Sequence, residues 1–135
     1  MTGSSVAILA DDLIWATRLE GQLRTLGATT TRVRDLATLR TVLDAESPIR
    51  PDRVVVDLTA RAYDGLTAVG LAVEAGRGVL CVGQHDDVEL RRRALAAGAD
   101  NVYAYRALFE RGHAVLAGWL GVPVPEPGSL VAPDR

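Results

Sequence analysis

The sequence predicts an α/β domain in which a parallel sheet carries helices on both faces. Three observations lead there. Five units of strand followed by helix succeed one another along the chain, and such alternation builds a parallel sheet. The strand segments are short β-branched or aliphatic runs without polar alternation, the pattern of strands buried on both faces. Several helical segments close on glycine, as at Gly27, Gly98 and Gly121, where a left-handed residue ends a helix at least cost.

The first strand is read over Val6 to Ala10, and it runs directly into Asp11 and Asp12. From Ile14 onward Leu19, Leu23 and Leu26 recur at helical spacing until Gly27. Thr29 to Val33 is β-branched and fits a second strand. Asp35 then stands as an N-cap before Leu36, Leu39, Val42 and Leu43. Pro48 and Pro51 mark a loop. Arg53 to Gly65 (RVVVDLTARAYDG) is the stretch on which the chain turns, because three valines lead into Asp57 at a predicted strand end. In open α/β sheets the crevice outside the strands' carboxyl ends is where ligands bind, so a carboxylate there is placed to act. A weaker helix is expected from Leu66 to about Ala75. Val79 to Val82 makes a fourth strand, followed by Gly83, Gln84, His85 and Asp86. A helix over about Asp87 to Ala97, a strand over Asn101 to Tyr105 and a last helix carrying Leu108, Val115, Leu116 and Trp119 complete the pattern. Trp119 is expected in the core and His113 at the surface. The domain is therefore placed at residues 1–121. The remaining residues, 122–135, carry four prolines and are expected to form an extended, poorly ordered tail.

Composition narrows the function. A chain of 135 residues is long enough for one domain with a real core, and 48% of it is apolar. No apolar run is long enough to span a membrane, and no signal-peptide pattern is visible, so a cytoplasmic protein is expected. Cys81 is the single cysteine and lies in an apolar run, which excludes an internal disulfide and suggests a small buried side chain. The net charge of −2 comes from mixed signs, so there is no basic footprint for nucleic acid. Arg91, Arg92 and Arg93 read as a solvated helix face. Two absences matter below: the chain has no lysine, and no serine or threonine stands between Thr67 and Ser129.

The Asp11-Asp12 pair, Asp57-Leu58, Asp64-Gly65 at its spacing from them, and the stretch LAAGADNVYAYRALF together resemble the receiver domain of two-component response regulators, over roughly Val6 to Leu120. The resemblance implies a flavodoxin-like doubly wound (βα)5 fold with strand order 2-1-3-4-5. It implies a phosphorelay role in which Asp57 accepts a phosphoryl group. Asp12 and Asp57 become direct ligands of Mg2+, Asp11 a supporting ligand through water, and the Thr59 carbonyl a further ligand. The chemistry is coherent, because an anionic nucleophile approaching a phosphoryl group needs a cation between them. The implied partners are a histidine kinase or phosphotransfer protein. A homodimer through the fourth helix, fifth strand and fifth helix is a further implication, with Arg91 to Arg93, Tyr103 and Tyr105 at that surface. Such a domain is a signalling module rather than an enzyme. The competing reading of Asp11 and Asp12 is that they cap the first helix.

The departures from the family are specific. The switch hydroxyl falls at Gly83, the conserved-role lysine at Tyr105, with Arg106 in place of the following proline, and the switching aromatic at Val102. The proline after the phosphoacceptor loop is Arg61. A one-residue bulge in the fifth strand would put Tyr103 in the aromatic's role and Arg106 in the lysine's as a compensating cation. His85 faces the same crevice in this reading or is an ordinary loop histidine, and Trp15 either shields the site or packs in the core. Coupling of phosphorylation to conformational change is expected to be impaired.

Other classes fit less well. A flavodoxin-like phosphate-binding module needs a Gly-, Ser- or Thr-rich loop where this chain has DDLIW. An aspartyl-phosphate hydrolase needs a second acid where Thr59 stands, and a lysine. The alternative that stays open is a phosphorylation-independent pseudo-receiver acting as an interaction or dimerisation module.

Overall fold

The computed structural model describes residues 3–124. Most of the proline-rich tail, from residue 125 on, lies outside the described residues. The chain alternates strictly between strand and helix: β1 Ser5–Leu9, α1 Leu13–Thr25, β2 Thr29–Val33, α2 Leu36–Leu43, β3 Arg53–Asp57, α3 Gly65–Glu74, β4 Gly78–Gly83, α4 Val88–Ala96, β5 Asn101–Ala104 and α5 Tyr105–Leu120. All strand pairs are parallel and the order is β2-β1-β3-β4-β5, as the sequence predicts.

The doubly buried strands explain their own sequences. Val54 and Val56 face the α2–α3–α4 layer with Ala7, Leu9, Val79 and Cys81, whereas Val55 faces the α1–α5 layer with Val6, Ile8, Leu80 and Val82. Alternate residues thus feed two cores, and neither face tolerates a polar side chain. Cys81 is buried as expected, and its thiol is pushed up to about 12 by burial and then by Asp100. Trp15 belongs to the α1–α5 core. Trp119 is only partly buried, because its indole N–H reaches out to Asp100 Oδ2 at 3.0 Å.

Helix starts follow a rule with one exception. Asp12, Asp35, Asp64 and Asp87 cap α1 to α4, each accepting from the backbone N–H three residues on. Such a cap is worth about 1 kcal/mol. α5 starts after Ala104 and has no side-chain cap. It also breaks internally, since Arg111 leaves helical geometry with φ −131° and ψ 26°. At that break the Gln22 side-chain amide of α1 donates to the Leu108 carbonyl at 2.9 Å. Gly112 provides the room, for a Cβ there would overlap the Gln22 amide. An inserted side chain is a recognised cause of such kinks.

Candidate functional site

β3 ends on Asp57 and β1 ends two residues before Asp11, so the pairing of β1 with β3 brings three carboxylates to one edge of the sheet. The loop after β3 is fixed by its own side chains. Asp64 caps α3, accepting from the Thr67 N–H at 3.0 Å and the Thr67 hydroxyl at 2.6 Å. Gly65 lets the start of α3 approach Leu58, since a Cβ there would stand 3.0 Å from the Leu58 Cα. The Asp64-Gly65 pair therefore serves to hold the segment that follows Asp57.

Asp57 is 1% exposed. Its Oδ1 accepts three hydrogen bonds: from the Thr59 N–H at 2.9 Å, the Thr59 hydroxyl at 2.8 Å and the Tyr105 hydroxyl at 2.6 Å. The two hydroxyls are themselves 2.6 Å apart. Two protons thus serve three short oxygen contacts, tying both hydroxyls and the carboxylate into one unit. Burial, and then the bond to Asp57, raise the Tyr105 phenol well above its usual range, so the group stays a neutral donor. Trp15 meets the Tyr105 ring edge-on, with centroids 5.3 Å apart.

A second phenol braces the site from behind. The Tyr63 hydroxyl lies 2.8 Å from both the Leu9 carbonyl and the Asp57 carbonyl, joining the ends of β1 and β3. Its pKa is raised by burial and then by the Asp57 and Asp11 charges.

The other carboxylates have backbone duties. Asp12 Oδ1 accepts from the Trp15 N–H at 3.0 Å, which is the N-cap of α1. Asp11 Oδ2 accepts from the Arg61 N–H at 3.2 Å. Among the described residues no three His, Cys, Asp or Glu side chains gather closely enough to hold a metal ion. The hydrogen bonds of the described residues occupy Asp11 Oδ2, Asp12 Oδ1 and Asp57 Oδ1, and they use neither the second oxygen of each carboxylate nor the Thr59 carbonyl.

At the other side of the crevice Gly83 ends β4 opposite Ala104 of β5. Val102 is buried on the α4 side of the sheet. β5 pairs with β4 in unbroken register from Asn101 to Ala104, so there is no bulge. Tyr103 consequently packs on the α1–α5 face rather than in the aromatic's position. Arg106 does not reach the site: its side chain is 84% exposed and its Nε bonds Glu110 at 2.8 Å. The group that reaches Asp57 from the start of α5 is the Tyr105 hydroxyl. No ion pair among the described residues includes Asp57. His85 is an exposed residue beside Gly83, Tyr105 and Arg106 in a shallow depression.

Sequence reasoning missed Tyr63 and Gln22. Tyr63 looks like a loop residue, although an aromatic between Arg61 and a helix cap was a usable signal. Gln22 carried none.

No family model and no curated protein matches the chain. Solved structures do resemble it. The receiver domain of a sensor histidine kinase from Pseudomonas aeruginosa, with a magnesium ion coordinated in its active-site cleft, is 23% identical with a TM-score of 0.68, covering 89% of this chain and 99% of its own. A two-component response regulator from Clostridium difficile is 14% identical with a TM-score of 0.72, covering 87% and 96%. A response regulator from Burkholderia pseudomallei with a phosphorylated aspartic acid, calcium ion and citrate is 18% identical with a TM-score of 0.70, covering 94% and 69%. The chain has the fold of response regulator receiver domains. At these identities the likeness is one of fold, and the chemistry must be argued from the residues.

Proposed function

We propose that this is a receiver-fold signalling module that works through protein–protein contact without needing phosphorylation of Asp57. The observation that carries the reading is the covered Asp57 carboxylate, 1% exposed, bonded by Thr59 and Tyr105 and in no side-chain ion pair among the described residues. A nucleophile must approach its electrophile in line, and both negative partners need positive charge at hand. Here neutral donors take that place. Three further features agree: Gly83 has no hydroxyl, Val102 no ring, and Arg106 is bonded to Glu110. The partner is a protein surface, with a second copy of the chain on α4, β5 and α5 one such surface.

The second reading is a phosphorelay receiver in which a histidine kinase or phosphotransfer protein phosphorylates Asp57 with Mg2+. Its support is the meeting of Asp57 with Asp11 and Asp12 at the strand ends. Bound Mg2+ would supply charge neutralisation, and Asp12, Asp57 and the Thr59 carbonyl would hold it, with Asp11 supporting through water, once the side chains turn an oxygen toward the ion.

Intact mass after incubation with a small phosphodonor and Mg2+, beside an Asp57→Asn control, separates the two. No adduct is expected in a folded preparation. A single phosphoryl adduct requiring both Mg2+ and Asp57 would replace the first reading by the second.

A further inference from the structure

Besides its neighbour Thr59, one distant residue, Tyr105, closes Asp57, and the helix that carries it is built unlike the other four. α1 to α4 each begin under an aspartate cap, whereas α5 begins at Tyr105 with none. The break at Arg111 separates residues 105–110 from the rest of α5. Arg106 and Glu110 brace this segment internally. The Arg18 guanidinium, 4.5 Å from the centre of the Phe109 ring, holds it against α1. Leu108 is anchored in the core beside the Gln22 clamp. At its start, directly after β5, the Tyr105 hydroxyl ties the segment to Asp57 and Thr59.

A cavity of about 480 Å3 lies beside Tyr105, lined by Asp12, Ile14, Trp15, Arg18, Tyr105 and Phe109. The phenol thus has open volume next to it, with the core residue Trp15 as one wall.

We propose that Tyr105 is a latch: with Thr59 it keeps the Asp57 carboxylate closed to divalent cations, and the site opens when the Tyr105 phenol leaves Asp57 and turns toward this cavity. The inference rests on the reading of Asp57 as a covered site and adds the residue that covers it. Tyr105 acts on Asp57 as a positioning residue, holding its Oδ1 toward the protein and away from an incoming ion.

The test is binding of Mn2+ alone, read by quenching of Trp15 fluorescence, with Trp119→Phe in every protein so that Trp15 is the one indole. Tyr105→Phe keeps the ring against Trp15 and removes only the donor. It should bind Mn2+ about tenfold more tightly, the worth of one hydrogen bond to a charged acceptor. Adding Asp57→Asn should abolish the gain. Thr59→Ala should shift affinity in the same direction, and it carries the test if Tyr105→Phe does not fold. Equal or weaker binding by Tyr105→Phe, a gain that survives Asp57→Asn, or no binding by any of the proteins would overturn the latch. Because no phosphodonor is present, this result and the mass measurement can fail independently.

Discussion

The carboxyl edge of the sheet has two halves, and they keep different things. The half formed by β1 and β3 retains its full set of acidic residues. The half formed by β4 and β5 carries Gly83, Val102 and Tyr105, which stand where the resemblance in sequence implies a receiver's hydroxyl, aromatic and cation. The difference follows what else each residue does. Asp12 caps α1, Asp64 caps α3, and Asp57 gathers the loop that follows it through Thr59. These residues have structural work independent of any phosphoryl group. A hydroxyl at Gly83 or a ring at Val102 would have none. Retained carboxylates are therefore weak evidence for retained phosphotransfer.

The comparison can be broken most sharply at Tyr63. Its hydroxyl serves two buried carbonyls, so Tyr63→Phe should cost about 2 kcal/mol in chemical denaturation. A neutral outcome would mean that the β1–β3 half is not held by its own hydrogen bonds. Asp12→Ala should follow with a loss of about 1 kcal/mol, the cap alone. If stability is unchanged, Asp12 has no structural claim on its place, and its presence calls for a metal after all. The smallest effect is expected at Gly83→Ala. An added Cβ meets nothing nearer than the Leu58 Cδ1 at 3.6 Å, so the change should stay within about 1 kcal/mol of zero in the same assay. A large loss there would show that the glycine is a packing requirement, and the contrast between the halves would lose its meaning.

The sequence makes the middle of the sheet legible because β1, β3 and β4 are runs of residues suited to doubly buried positions. RVVVD shows both that β3 is internal and that Asp57 ends it. Caps are as readable: Asp35 and Asp64 announce α2 and α3. The β5–α5 junction is where reading fails, and the reason is physical. Ala104 gives no cap signal, and Tyr105, with its high strand propensity, looks like the last residue of β5 rather than the first of α5. That one-residue difference moves the phenol from a strand face to the Asp57 carboxylate. The bulge expected in β5 was meant to bring a cation to the site; the regular register leaves Arg106 outside, and a hydroxyl takes the position. Nothing local could reveal this, because the partner that fixes Tyr105 lies 48 residues away.

The kink of α5 carries a consequence for how this chain can change over time. Gln22 and Gly112 are remote in sequence yet share one small volume, the amide of the first lying where the methyl of any larger residue at the second would be. Alanine at position 112 would strengthen the helix by its intrinsic preference, and the amide it meets is the far end of a flexible side chain that can move aside. Either change costs the same bond, since an amide that swings away leaves the Leu108 carbonyl without its donor. The two positions are therefore coupled, and the bend in α5 lasts as long as the amide keeps its place.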